Sequence, residues 1–133
     1  MLEIDVYFGL NKTGDKTDVI VQPDPAALHS GDDVFWHFHS LDKKVKYVRV
    51  EFAGKGAKFF EERKNKKTHQ RKAKIEKSNP KKGGHGHILG TAPSYGGGTK
   101  LNKYIVAAFD SDPDTKGTKA LYELDPTVVT CDP

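Results

Sequence analysis

The stretch Asp33-Val34-Phe35-Trp36-His37-Phe38-His39 is made of β-branched and aromatic residues that pass into a Trp-His-Phe-His alternation, and this strand signature with its period of two constrains the fold more than any other feature of the chain. Successive side chains of an extended strand point to opposite faces, so Val34, Trp36 and Phe38 share one face while Phe35, His37 and His39 share the other. The same alternation runs through Leu2-Glu3-Ile4-Asp5-Val6-Tyr7-Phe8, which sets Leu2, Ile4, Val6 and Phe8 against Glu3, Asp5 and Tyr7. It recurs in Val45-Lys46-Tyr47-Val48-Arg49-Val50-Glu51-Phe52, where Val48, Val50 and Phe52 form the apolar face. Shorter strands are predicted at Asp18-Val19-Ile20-Val21, Lys103-Tyr104-Ile105-Val106-Ala107-Ala108-Phe109, Ala120-Leu121-Tyr122-Glu123-Leu124 and Thr127-Val128-Val129-Thr130. Pro23-Asp24-Pro25 stops one of them, because proline donates no ladder hydrogen bond, and Ala26-Ala27-Leu28-His29 leads into a turn at Ser30-Gly31-Asp32. No apolar stripe recurs at helical spacing. Six or seven short strands without an amphipathic helix predict an all-β, antiparallel Greek-key β-sandwich, with Trp36 in its core.

With 133 residues the chain fits one domain, residues 1–133, large enough to build a core without disulfides or a structural metal. Its apolar runs fall far short of the roughly 20 residues that cross a bilayer, and Met1-Leu2-Glu3-Ile4-Asp5 lacks the basic start and apolar stretch of a signal peptide. These features predict a soluble, cytoplasmic protein with no membrane association. Cys131 is the one cysteine, so an intrachain disulfide and a Cys-rich zinc pattern are both excluded.

Charge is unevenly distributed. Residues 55–82 hold 12 Lys and Arg against three Glu, leaving ten basic and 15 acidic residues elsewhere, so the formal surplus of four describes neither part. Apolar side chains nearly vanish from this segment after Phe59-Phe60, and a helix there would have no stripe to bury. Residues 81–100 contain seven glycines and read as a loop. Together residues 54–100 read as a long excursion, basic and then Gly/His-rich, between the fourth strand and the C-terminal strands.

Ser30-Gly31-Asp32-Asp33-Val34-Phe35-Trp36 resembles the "G-D-x-V-x-W" segment that leads into the third strand of cupredoxin-like sandwiches. Tyr104-Ile105-Val106, followed by Leu124-Asp125-Pro126-Thr127-Val128-Val129, resembles the "Y-x-V … D-P-x-I-x-V" ending of small, functionally uncharacterised bacterial members. The resemblance covers about two thirds of the chain, omits residues 54–100, and implies a cupredoxin-like fold. A type 1 copper centre needs two His, a Cys thiolate and usually an axial Met, with Cys, second His and Met close together before the final strand. Here Met1 is the one methionine and Cys131 lies at the far end, so the family's copper site does not carry over.

The histidines offer a different metal chemistry. His37 and His39 lie two apart on a strand, and His85 and His87 two apart beside glycines. Imidazoles at i and i+2 project from one face roughly 7 Å apart, and two such pairs facing each other could offer four nitrogens to zinc, copper or nickel. Gly31 to His39 also fits the first cupin metal motif, although Lys43 and Lys44 stand where that motif places a glutamate. The alternative is that these histidines are the solvent-facing members of their segments. Asp110-Ser111-Asp112-Pro113-Asp114 lacks a complete calcium loop and reads as a turn. Gly83-Gly84 and Gly96-Gly97-Gly98 lack the strand–loop–helix setting of a phosphate loop.

Two functional expectations follow. The leading one is a non-catalytic binding or accessory module without a cofactor, in which Arg63, Lys64, Lys66, Lys67, Arg71, Lys72 and Lys74 contact an acidic protein surface or nucleic acid. The alternative is a His-ligated metal protein or small cupin-type metalloenzyme using His37, His39, His85 and His87, and it takes precedence if the two His-x-His pairs converge.

Overall fold

A computed structural model describes residues 1–53, 57–63, 66–77, 83–94 and 96–132. The chain is all β. In order its strands are β1 (Leu2–Phe8), β2 (Val19–Gln22), β3 (Ala26–His29), β4 (Asp33–Ser40), β5 (Tyr47–Phe52), β6 (Phe60–Arg63), β7 (Lys66–Thr68), β8 (Gln70–Lys74), β9 (His85–Thr91), β10 (Gly98–Phe109), β11 (Tyr122–Leu124) and β12 (Thr127–Asp132). The first sheet runs β2-β1-β4-β9 and the second β3-β12-β10-β5-β8, with β11 also paired to β10 and β6-β7 forming a separate ribbon. Among the described residues no helix is long and apolar enough to cross a membrane.

The two sheets press their apolar faces together. Ile4, Val6 and Phe8 of β1 and Val34, Trp36 and Phe38 of β4 meet Val48, Val50 and Phe52 of β5 and Tyr104, Val106 and Ala108 of β10, all essentially buried. Trp36 takes the central position expected of it, with its ring 5.7–6.0 Å from those of Phe52, Phe60 and Tyr104. Each such side chain contributes about 1.5–3 kcal/mol on leaving water, so the period-two pattern of β1, β4 and β5 supplies much of the driving force. Burial raises the Tyr104 hydroxyl pKa well above its ordinary range, and burial together with donation to Asp42 (2.8 Å) pushes that of Tyr122 up to about 12.

Three expectations are corrected. The sheets are mixed rather than purely antiparallel, because β1 pairs with β4 and β3 with β12 in parallel. The chain changes sheets after β2, at Pro23-Asp24-Pro25, so β3 joins the second sheet and β4 returns to the first along the direction of β1. Ala26–His29, read as a lead-in to a turn, is therefore a strand.

The third correction concerns residues 54–100, which are no simple loop excursion: they contain β6, β7, β8 and β9, and the last two are integral to the two sheets. His85–Thr91 alternates like any strand, with His85, His87 and Leu89 outward and Gly86, Ile88 and Gly90 buried. Glycine is required inside because the space is taken. A Cβ on Gly90 would lie 3.0 Å from the Phe60 ring and 3.2 Å from both Trp36 Cζ3 and the Phe59 carbonyl, and one on Gly86 would lie 3.1 Å from Ile75 and from the Lys74 carbonyl. Phe59 and Phe60 fasten the β6-β7 ribbon over Gly90, Phe59 stacking on Phe52 with centroids 3.9 Å apart.

Candidate functional site

Register places the histidines. β9 pairs with β4 so that His37 faces His87 and His39 faces His85, while the parallel pairing of β1 and β4 puts Asp5 beside His37 and Tyr7 beside His39. Because partners in register project to one face, all four imidazoles, both carboxylates of β1 and the Tyr7 ring share the outer surface of the first sheet. The two His-x-His pairs converge.

They converge unequally. His39 Nδ1 lies 3.1 Å from His85 Nδ1, and the two rings meet edge to face at 85°. The other nitrogen of His39, Nε2, lies 2.9 Å from Asp5 Oδ1, and Tyr7 stacks on the His39 ring at 4.7 Å. A carboxylate only accepts, so His39 carries its proton on Nε2 and donates it to Asp5; its Nδ1 lone pair is then free to accept from His85 Nδ1–H. His37 is drawn away from this pair, donating to Glu3 Oε1 at 3.2 Å and packing against Phe35 at 4.6 Å, and His87 lies along the same Phe35 ring at 5.3 Å. Among the described residues no three His, Cys, Asp or Glu side chains are gathered into a ready-made metal cage. The sheet offers one pair of nitrogens in contact, with two more imidazoles a row away.

Two nitrogens bound to one ion at about 2.0–2.1 Å stand about 3.3 Å apart in a tetrahedron and about 2.9 Å apart at right angles. The 3.1 Å between His39 and His85 falls between these values. Asp5 on the far nitrogen supplies the carboxylate–histidine arrangement that fixes a ligand's tautomer and ring orientation. The alternation of β1 puts Glu3 and Asp5 on one face, but nothing in the sequence marks them as neighbours of the histidines, because the pattern does not show the parallel alignment of β1 with β4.

The type 1 copper set is not met. Met1, His29, Asp32 and Cys131 line a depression of ≈ 290 Å³ beside β3 and β12, where His29 and Cys131 are register partners, but a single histidine reaches it.

The cations of residues 55–82 are dispersed. Lys72 is held by Asp112 and Asp114, at 2.6 Å each, so this part of the basic segment lies on the protein's own acidic turn. Hydrogen bonding to Asp112 raises the Lys72 pKa, and the same bond lowers that of Asp112. Lys66 meets Glu62 at 3.4 Å, and Arg71 lies 5.7 Å over the Phe60 ring and donates to the Glu61 carbonyl. Arg63, Lys67 and Lys74 are exposed on β6, β7 and β8, and Lys64 lies outside the described residues. Five cations, Arg49, Lys58, Lys67, Arg71 and Lys72, do converge with Glu62 and Asp114 around a cleft of ≈ 500 Å³. Arg49 and Lys58 were not among the expected contacts. The Gly96 and Gly97 amides, whose spacing invited comparison with a phosphate loop, donate to the Asp132 carboxylate at 3.0 and 3.2 Å.

No family model matches the sequence, and no curated protein sequence matches it. Among solved structures the chain is similar to a cysteine protease inhibitor from Entamoeba histolytica (18% identity, 83% of this chain and 88% of that one, TM-score 0.41). It is also similar to dithionite-reduced auracyanin from Roseiflexus castenholzii (12% identity, 100% and 98%, TM-score 0.45). A third similar structure is the inclusion body protein PixA from Burkholderia cenocepacia (10% identity, 99% and 96%, TM-score 0.36). At these TM-scores the likenesses assign neither a family nor a function.

Proposed function

We propose that this protein is a non-catalytic metal-binding module that takes one copper(II), nickel(II) or zinc(II) ion on the outer face of its first sheet. The observation that carries this reading is the 3.1 Å contact between His39 Nδ1 and His85 Nδ1, with His39 Nε2 already committed to Asp5. His39 Nδ1 would hold the ion, and His85 Nδ1 would join it once the His85 proton sits on Nε2 instead, with His37 or His87 a row away as the source of a further nitrogen. The open sheet face leaves the ion exposed to solvent, which suits holding or sensing a metal better than chemistry that must exclude water. Borderline imidazole nitrogen selects late first-row ions over calcium or magnesium.

The scaffold is read as a cupredoxin-like Greek-key sandwich on the Ser30-to-Trp36 and Leu124-to-Val129 segments, with the histidine face replacing the copper centre of that family. We place it in the cytoplasm, where the half-buried thiol of Cys131 stays reduced.

Calorimetric titration of tag-free protein tests the function. One ion per chain is expected, with a rise in melting temperature on adding it, since a ligand at about 100 times its Kd adds about 2.7 kcal/mol to stability. His39→Ala and His85→Ala should abolish uptake, while His29→Ala and His69→Ala should leave it intact. Uptake unaffected by loss of His39 and His85, or no uptake at all, would rule the reading out.

A further inference from the structure

The free edge of β8 carries an inference independent of the histidine face. Phe52 N–H donates to the His69 carbonyl (2.8 Å) and Ile75 N–H to the Lys46 carbonyl (2.9 Å), which sets the phase of the antiparallel ladder between β5 and β8. Hydrogen-bonded pairs alternate along such a ladder, so Val50–Arg71 and Val48–Ala73 are the bonded ones. Gln70, Lys72 and Lys74 therefore turn their own N–H and C=O away from β5. β8 is the last strand of its sheet, and although Glu76, two residues beyond it, exchanges backbone hydrogen bonds with His85 of β9 (2.7 and 2.9 Å), no described strand pairs with the outer edge over Gln70–Lys74. The Gln70 carbonyl accepts from the Thr68 hydroxyl at 3.1 Å, and Gly86 of β9 closes in on the Lys74 carbonyl, which leaves Lys72 at the centre of the open stretch.

This open edge lies in the cationic cleft of ≈ 500 Å³. The ribbon side contributes Lys58 and Lys67, both exposed and without an ion pair among the described residues, in contrast to Lys72. Lysines along an edge strand ordinarily keep other strands from adding to it. That guard discriminates by sign: it repels a second copy of the same basic edge and attracts a strand bearing carboxylates. Nucleic acid fits less well, because the edge offers alternating N–H and C=O groups that a peptide backbone matches and a sugar–phosphate chain does not. The cleft lining also lacks a Phe, Tyr or Trp ring on which bases could stack.

We infer that the outer edge of β8 is a docking site for an acidic, extended segment of a partner protein, which adds as a strand beside Lys72 with its carboxylates toward Lys58, Lys67 and Arg71. Backbone pairing supplies affinity and the flanking cations select acidic side chains.

Fluorescence polarisation with the full chain tests this, using a labelled octapeptide of alternating Glu and Thr. The comparison probes are the same peptide N-methylated at alternate residues, which keeps its charge but blocks its backbone donors, and a thymidine octanucleotide. The unmodified peptide should bind, and the N-methylated one should bind at least about tenfold more weakly. Lys58→Glu with Lys67→Glu should weaken the unmodified peptide by at least about tenfold without shifting the melting temperature. Hydrogen exchange at the Lys72 amide should slow on binding, a readout that needs no variant. Equal binding of the N-methylated peptide, equal or tighter binding of the oligonucleotide, or an unprotected Lys72 amide would overturn the proposal.

Discussion

The histidine face of the first sheet and the cationic edge of the second are both polar surfaces, but they hold their side chains in opposite ways. On the histidine face each group has a fixed neighbour: Tyr7 stacks on His39, Asp5 accepts a hydrogen bond from its Nε2–H, and His85 meets its Nδ1. At the β8 edge Lys58 and Lys67 reach into solvent, and Lys72 is anchored from behind by Asp112 and Asp114. The difference matches what each surface is proposed to bind. Coordination fails when ligands move by a fraction of an ångström, whereas Coulomb attraction to an acidic strand tolerates mobile cations and asks only for charge of the right sign nearby. Order at one surface and latitude at the other follow from where the backbone register is enforced by a buried face and where it is not.

The largest expected effect separates the two regions through the element that joins them. Phe59→Ala removes the ring stacked on Phe52 and should cost about 3–5 kcal/mol in chemical denaturation. Because Phe59 anchors the ribbon that carries Lys58, the variant should also lose acidic-peptide binding, while its folded fraction still takes up metal. Loss of both activities in folded protein would show the two surfaces to be one unit.

Next in size, Gly90→Ala presses on the sandwich from beneath the histidine face. Its Cβ would sit within 3.0–3.2 Å of Phe60, Phe59 and Trp36, none of which is the free end of a flexible chain, so a loss of about 1–3 kcal/mol is expected by urea unfolding. A neutral result would mean that the ribbon rides more loosely over β9 than the contacts show.

Asp5→Asn should leave stability within about 0.5 kcal/mol, as befits an outward side chain. It should weaken metal binding by about 10–100-fold, because a neutral amide holds the His39 Nε2–H, and with it the ring's tautomer and orientation, less firmly than a carboxylate does. Unchanged affinity by calorimetry would remove His39 Nδ1 from the ligand set.

The smallest effect belongs to the second region. Lys72 lowers the Asp112 pKa from its ordinary 3.8, so the pair's contribution is fully present above about pH 4 and disappears as the pH falls through the depressed folded value. Lys72 in turn has its pKa raised above 10.5, so the contribution is lost again as strong alkali passes that folded value. Urea midpoints of the wild type and Asp112→Asn should differ slightly at neutral pH and converge in acid. A difference that persists at pH 2 would mean that Asp112 acts through the backbone of its turn instead.

How far these regions could be read from the sequence depends on what each residue had to signal. β1, β4 and β5 announce themselves, since a buried face opposite a polar one leaves a period of two, and Trp36 falls where that period puts it. β9 carries the same period, but its inward residues are Gly86, Ile88 and Gly90, and glycine at inward positions looks like a loop unless what fills the space above it is known, Lys74 and Ile75 at Gly86 and the ribbon at Gly90. The His-x-His spacing singled out four residues that register brings to one face of the first sheet. It could not tell that β1 runs parallel to β4, which brings Asp5 and Tyr7 to His39, nor that Phe35 draws His37 and His87 aside. For the basic segment the count of charges was legible and their destinations were not, because Lys72 finds its partners 40 and 42 residues further along the chain.

The central claim, that His39 and His85 form the heart of a metal site, is tested most directly by imidazole nitrogen-15 NMR during addition of one equivalent of zinc. The account predicts that the Nδ1 signals of His39 and His85 move together to values of metal-bound nitrogen, with His39 Nε2 remaining protonated toward Asp5 and His29 and His69 unmoved. Shifts confined to other histidines, or Nδ1 signals of His39 and His85 unchanged at saturation, would contradict it.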